Sequence, residues 1–227
     1  MIELFRKYGI SLKSEDEIRF LAYYEFLIQK NSEFNLTAIT DRYEVIVKHF
    51  LDSSILCPYL KKGTILDVGS GAGFPGMPIK IVREDMEVTL LDSLNKRVNF
   101  LNETIDLLKL SNVSAVHARI EDYKEKEKFD YVVSRAVSQT NTLLEYLLPF
   151  VKVGGYAVLY KSKKFDEEIM ESHKALEILG GKIEKIEKIN IEEINAERYL
   201  VFIKKIKSSP KNYPRGKNLP KIKPIIG

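Results

Sequence analysis

Between Thr64 and Gly76 the chain reads TILDVGSGAGFPG, and these residues are the ones best suited to hold a ligand. An apolar run, Ile65, Leu66 and Val68, is interrupted by one acid, Asp67, and followed by glycines at 69, 71, 73 and 76. Glycines this dense after a buried-strand pattern mark a turn whose backbone must approach something closely. A second strand pattern, EVTLLDS, ends in Asp92, about 20 residues further on, where nucleotide-binding folds place a ribose-binding acid. A glycine turn at the end of one strand and a carboxylate at the end of the next can hold an adenine nucleoside.

The spacing bears on which nucleoside. Dinucleotide folds favour G-x-G-x-x-G, with the third glycine opening a helix toward a pyrophosphate. Here Phe74 stands at the third position, so the pattern is G-x-G-x-G with an acid two residues before it. That resembles motif I of class I S-adenosylmethionine (SAM) methyltransferases, whose ligand has no phosphate. A turn without ligand and a nicotinamide or flavin site remain alternatives at this stage.

Open parallel sheets bind ligands at the carboxyl ends of their strands, which selects the residues just after each strand pattern. Gly69, Gly71, Gly73 and Phe74 follow the first, and Asp92, Ser93 and Leu94 the second. Arg119, Ile120 and Glu121 follow the third, and Ser134, Arg135 and Ala136 the fourth. Asp92 can accept hydrogen bonds from two ribose hydroxyls, Ile120 can pack on adenine and Glu121 lies beside it. A guanidinium immediately after the buried pattern FDYVVSRA is unusual unless it faces a site. Arg135 can therefore bind the methionine carboxylate or a substrate phosphate, with a structural salt bridge as the plainer reading. Lys96, Arg97, Arg119 and Lys161 would ring the same rim with positive charge, suited to nucleic acid.

The elements that must carry these groups follow from periodicity. The first sixty residues read as helices: a capping box at Ser14 and Glu17 opens one, NSEFNLTAIT from Asn31 reads as a loop, and a second helix is expected over 41–56. Strands are expected near 64–69, 87–92, 113–117, 129–134, 155–160, 182–189 and 199–205, alternating with helices up to the fifth. This predicts an α/β, doubly wound, mostly parallel, seven-stranded Rossmann-like sheet. The last two strands are separated by INIEEINAER, too short for a helical crossover, and should form an antiparallel hairpin. The expected organisation is a helical extension over 1–60, a methyltransferase domain over 61–206 and a basic, Pro-rich arm over 207–227.

Composition narrows the setting. The 227 residues carry a net charge of +4. Residues 204–227 contain eight basic side chains and no acid, so the excess positive charge sits at one end. Such an extended arm suits a phosphate backbone; a solubilising tail is the alternative. The N-terminus, charged by Glu3 and Arg6, does not read as a signal peptide, and no apolar run suits a membrane span, so a cytoplasmic protein is expected. Cys57 is the single cysteine, and the three histidines are scattered, so neither a disulfide nor a metal site is expected. Nothing suggests more than a monomer. Exocyclic-amine methyltransferases carry Asn-Pro-Pro-Tyr or a relative where this chain reads Ser134-Arg135-Ala136-Val137, and Cys57 lacks the setting of a cytosine-C5 nucleophile. An acceptor that is already nucleophilic, such as guanine N7, remains; it loses no proton and needs only alignment.

The segments NLTAIT, KHFLDS, DVGSGAGFPGMPIKI, LLDSLNKRVNFL, SRAV, GGYAVLYK, ERYLVFIKK and YPRGKNLPKIKP together resemble the bacterial RsmG family, also called glucose-inhibited division protein B. The resemblance implies SAM-dependent N7 methylation of one guanine in small-subunit (16S) ribosomal RNA. It implies SAM contacts at Gly69, Phe74, Asp92, Ile120, Glu121 and Arg135. It makes Lys96, Arg97, Lys161, Arg198 and Arg215 candidates for RNA contact or target positioning, with Arg135 and Lys161 the expected catalytic residues. A methyltransferase acting on protein or small molecules, and a non-catalytic RNA-binding factor on the same scaffold, are the competing readings.

Overall fold

The computed structural model describes residues 1–135, 139–162 and 166–226; Ala136 and Val137 lie outside them. Seven strands form one sheet: β1 (Thr64–Val68), β2 (Glu87–Asp92), β3 (Val113–His117), β4 (Phe129–Ser134), β5 (Val151–Ser162), β6 (Gly181–Ile191) and β7 (Ala196–Lys205). Their order is β3-β2-β1-β4-β5-β7-β6. Pairing is parallel from β3 through β5 and antiparallel where β7 joins β5 and β6. The fold is the doubly wound class that the alternating pattern predicts, with its C-terminal hairpin. The strand order reverses between β1 and β4, and a crevice opens above their carboxyl ends.

Alternation along the strands sends neighbours to opposite faces. Ile65, Leu90, Tyr131, Val133 and Val158 join one core with Phe5, Phe20, Tyr23 and Phe50 from the N-terminal helices. Leu66, Leu91, Val132, Ala157 and Leu159 join a second core on the other face. The first sixty residues thus share a core with the sheet, and their aromatic residues cover one of its faces.

The helices are α1 (Ile2–Arg6), α2 (Ser14–Phe34), α3 (Arg42–Val45), α4 (Asp52–Ser54), α5 (Gly76–Val82), α6 (Asn95–Leu107), α7 (Thr140–Leu147), α8 (Asp166–Met170), α9 (His173–Leu179) and α10 (Leu219–Ile222). Two details differ from the sequence pattern. The cap of α2 lies one residue earlier than Ser14: buried Asp16 accepts a hydrogen bond from the Lys13 backbone N–H at 2.8 Å. The helix also runs past Asn31 and stops at Asn35, whose φ of 50° suits a residue tolerant of the left-handed region. Between α3 and α4 the expected helix widens into a π-turn, Ile46–Leu51. Among the described residues no helix is long and apolar enough to cross a membrane.

The C-terminal segment departs most from expectation. It does not extend as an arm. Ile225 is buried in the second core, Pro220 is buried against α7, and the Arg215 guanidinium clasps Glu145.

Candidate active site

The glycine turn hangs from the neighbouring strand: the Leu91 carbonyl accepts from Gly69 N–H at 2.8 Å and Ser70 N–H at 3.1 Å. The turn's glycines divide in role. Among the described residues a Cβ on Gly69 would meet nothing within 4 Å, and one on Gly71 only the Gly69 carbonyl at 4.0 Å, so these two backbones stand clear of those residues. Gly73 faces the interior. A Cβ there would lie 2.5 Å from Tyr23 Oη and 2.7 Å from Met77 Cγ, and its φ is +98°. Placed by the sequence pattern among the cofactor contacts, Gly73 instead lets α2 pack close to the turn. Asp67 lies beneath, wholly buried; Oδ2 accepts from Gly76 N–H at 2.9 Å, while Oδ1 has no hydrogen-bond partner among the described residues. Burial pushes its pKa up to about 7.

A cavity of about 660 Å³ opens beside the turn. Its floor is Val68, Gly69 and Leu91, and Asp92 and Ser93 stand at the end of β2. Asp92 is 3% exposed; Oδ2 accepts from Gly71 N–H and Oδ1 from Leu94 N–H, both at 2.9 Å. These bonds fix the carboxylate and leave lone pairs for hydroxyl donors. Ile120 and Glu121 form the far wall, and Leu143 and Tyr146 of α7 the side. The Tyr146 phenol is pushed up to about 12 by burial, with Glu121 and Glu145 adding to the effect. Arg97 and Arg119 stand in the lining, the Arg97 guanidinium 3.4 Å from Asp92 Oδ2.

A second cavity, about 190 Å³, shares Gly69 with the first and is bordered by Gly71, Phe74, Arg135, Thr37 and His49. The Phe74 ring carries His49 stacked at 4.6 Å and the Arg135 guanidinium at 5.0 Å. Arg135 Nη1 donates to the Lys48 carbonyl at 3.1 Å, within the π-turn, and to Asp52 Oδ2 at 3.2 Å. A π-turn shifts the helical hydrogen-bond register, and such turns are frequent at functional sites. Asp52 Oδ1 accepts from Arg198 Nε at 2.7 Å, so one buried carboxylate holds two guanidiniums.

His49 completes the chain of contacts. Its Nδ1 lies 3.3 Å from Arg135 Nη2, and a guanidinium only donates, so Nδ1 is the acceptor. Nε2 then carries the proton and donates to Thr37 Oγ1 at 2.8 Å. Burial first, and the Arg135 charge second, lower the imidazole pKa to about 4. His49 is therefore neutral near pH 7. The order of contacts is Thr37, His49, Arg135, Asp52, Arg198, running from the N-terminal loop to β7.

Gly69, Asp92, Ser93, Ile120, Glu121, Arg97 and Arg119 thus border the larger cavity, and Gly69, Gly71, Phe74 and Arg135 the smaller. Leu94 is 43% exposed and borders neither. Lys161 pairs with Glu168 at 2.7 Å. Lys96 is exposed, 3.5 Å from the Phe34 carbonyl. Arg198 is turned to Asp52. Arg215, a candidate RNA contact, donates its backbone N–H and Nε, each at 2.8 Å, and Nη2 at 2.7 Å to Glu145, whose side chain is 1% exposed. That donor fork is committed inside the protein. Cys57 is buried and its thiol pushed up to about 12 by burial, which suits packing. Among the described residues no cluster of three or more His, Cys, Asp or Glu could hold a metal ion. Sequence reasoning gave no role to Thr37, His49 or Asp52, although NLTAIT and KHFLDS contain them.

A family model described as rRNA small subunit methyltransferase G matches residues 16–200. The chain belongs to this family. A protein of that name from Lachnoclostridium phytofermentans is 50% identical over 99% of this chain and 96% of its own length. Another, from Desulforamulus reducens, is 48% identical over 94% and 92%. Among solved structures, M. jannaschii TYW2 in complex with AdoMet aligns with a TM-score of 0.57 at 20% identity, covering 68% of this chain and 75% of its own. A SAM-dependent methyltransferase from Aquifex aeolicus aligns with a TM-score of 0.54 at 22% identity, covering 72% and 93%. These structural likenesses concern the fold.

Proposed function

We propose that this chain transfers the methyl group of S-adenosylmethionine to N7 of one guanine in small-subunit (16S) ribosomal RNA. The observation that carries the reading is the pair of cavities meeting at Gly69, one with a fixed ribose-type carboxylate and the other bordered by Arg135. The residues present fit the cofactor: Gly69 and Gly71 leave backbone space where a Cβ would intrude, and Asp92 is held with lone pairs to spare. Asp92 would hold the ribose hydroxyls, Leu91 and Ile120 the flat faces of the adenine, and Glu121 its edge. The cofactor, when bound, supplies an electrophilic methyl group on a sulfonium.

Arg135, fixed on Asp52 and on the π-turn carbonyls, would hold a carboxylate or phosphate at the smaller cavity. Lys161, at the end of β5, is assigned to target positioning. Guanine N7 has a lone pair and no proton to lose, so alignment suffices and no general base is needed. Neutral His49 fits that requirement by keeping Arg135 oriented. Lys96, Arg97 and Arg119 form a cationic rim for the RNA backbone, and Arg198 steadies Arg135 through their shared Asp52. The protein acts as a monomer in the cytoplasm, where its substrate is assembled.

The test is transfer of labelled methyl from SAM to small ribosomal subunits that lack their natural modification, followed by nucleoside analysis. Label recovered as 7-methylguanosine at one position is the expected result. Label in another nucleoside, or in protein, would overturn the assignment.

A further inference from the structure

The C-terminal segment, which the sequence pattern predicts as a basic arm, is held to the domain by a series of anchors. Lys126 Nζ donates to the carbonyls of Lys211 at 2.9 Å and Tyr213 at 2.6 Å. Arg215 is clasped by Glu145 and also donates from Nη2 to the Lys223 carbonyl at 2.9 Å. Thr142 Oγ1 donates to the Pro220 carbonyl at 2.9 Å. Between the last two anchors the chain turns through Lys217 and Asn218, both at positive φ, into α10. This turn brings Asn218 and Lys221 into the lining of the larger cavity.

Helix α7 couples the two. Residues three apart lie on one helix face. Leu143 and Tyr146 face the cavity, while Thr142 and Glu145, each one residue earlier, hold the C-terminal segment. The same helix that forms one wall of the cavity therefore fixes the segment that forms another.

We infer that the C-terminal segment is part of the cofactor site: Asn218 and Lys221 close the adenosyl end of the cavity and contribute to cofactor affinity, with Arg215 as the positioning residue that holds them there through Glu145. The inference rests on the reading of this cavity as the SAM site. An amide offers both donor and acceptor to a base edge, and Lys221 adds donors beside the cavity's acids, Glu121 and Asp92. The Arg215 fork cannot be spent on an RNA phosphate without leaving Glu145 buried and unpaired.

The experiment measures binding of S-adenosylhomocysteine to the full chain by calorimetry and, separately, binding of unmodified small subunits by filter retention. The variants are N218A/K221A, Arg215→Ala, Arg215→Lys and Asp92→Ala. N218A/K221A changes two exposed side chains, but alanine at the positive φ of residue 218 strains the turn, so K221A alone and the melting temperature of each variant are measured alongside. It is expected to weaken S-adenosylhomocysteine by about tenfold, the size of one or two net hydrogen bonds, and to leave RNA affinity within about twofold. Arg215→Ala should weaken the same ligand, and Arg215→Lys, which can restore one of the bonds to Glu145, should recover part of the loss. Unchanged S-adenosylhomocysteine affinity in N218A/K221A overturns the inference, and a fall in RNA affinity alone would make the segment an RNA-binding element instead. Asp92→Ala separates the two levels. Loss of binding there with N218A/K221A unaffected sinks only this inference; unchanged binding there sinks the cofactor reading itself.

Discussion

Two groups beside the glycine turn, Asp67 fully buried and His49 half-buried, titrate in opposite senses, and their balance can be measured. His49 has an ordinary value of 6.5 and is lowered to about 4, chiefly by burial. As pH falls, the unfolded chain takes up this proton first, so stability that is intact above pH 6.5 is lost as pH falls toward 4. Asp67 has an ordinary value of 3.8 and is raised to about 7, again chiefly by burial. Here the folded chain takes up the proton first, so stability is gained as pH falls below 7 and lost as pH rises through it. Between pH 7.5 and pH 5, linkage gives about 2 kcal/mol lost through His49 and about 2.5 kcal/mol gained through Asp67. The two nearly cancel in the wild type. His49→Gln should therefore leave a chain that becomes more stable toward pH 5, and Asp67→Asn one that becomes less stable, each by about 2 kcal/mol relative to the double variant. Urea denaturation across this pH range measures both, and differences from the double variant remove the background of other carboxylates. Parallel curves for Asp67→Asn and the double variant would show that His49 is not held neutral by its burial beside Arg135. The orienting role given to it would then fall.

Asp52→Ala leaves the Arg135 and Arg198 guanidiniums without their shared carboxylate; because both are partly exposed, the cost should be about 2 kcal/mol, below the range for a fully buried pair. Thermal melting should show a drop of roughly 4–8 °C, and methyl transfer should fall with it as Arg135 loses its anchor. Gly73→Ala should cost about 2–4 kcal/mol in the same measurement, since its Cβ meets Tyr23 and Met77 at positive φ. Gly69→Ala carries the same positive-φ strain (φ +74°) without the clash, so it should cost about 1–2 kcal/mol, less than Gly73→Ala, and should also weaken cofactor binding. For RNA, replacing Lys96 and Arg119 together by alanine should reduce the slope of log affinity against log salt by about 1.4, the value for two single-strand phosphate contacts; an unchanged slope removes them from the interface.

Which parts of this molecule could be read from sequence follows from the range of the interactions involved. The strands and the ends that carry Gly69, Asp92, Ile120 and Arg135 are local statements: an apolar run, a glycine, an acid at a set distance. The binding rule for open parallel sheets then gathers them without any knowledge of side-chain contacts. Gly73 shows where the local argument stops. Its residue type was legible, but the reason for it is Tyr23, fifty positions earlier on a helix whose placement against the turn no local pattern states. The same holds for Asp52, whose partners lie 83 and 146 positions away, and for His49 beneath Arg135.

Charge was the least transferable signal. Eight cations without an acid in residues 204–227 describe a free arm only if their partners are sought in the same stretch. Glu145 and Glu127 supply partners for Arg215 and Lys205 from elsewhere. Arg215 is locked to the first, and Lys205 lies wholly buried among the carbonyls of Leu148 and Leu179, with Glu127 at 3.9 Å and its pKa lowered to about 8 by burial. A basic segment whose guanidinium and ammonium groups cap buried acceptors is part of the fold before it is part of any interface. Arg215 and Lys205 are thereby withdrawn from any RNA contact, and the salt dependence of binding should follow Lys96 and Arg119 more closely than Arg215.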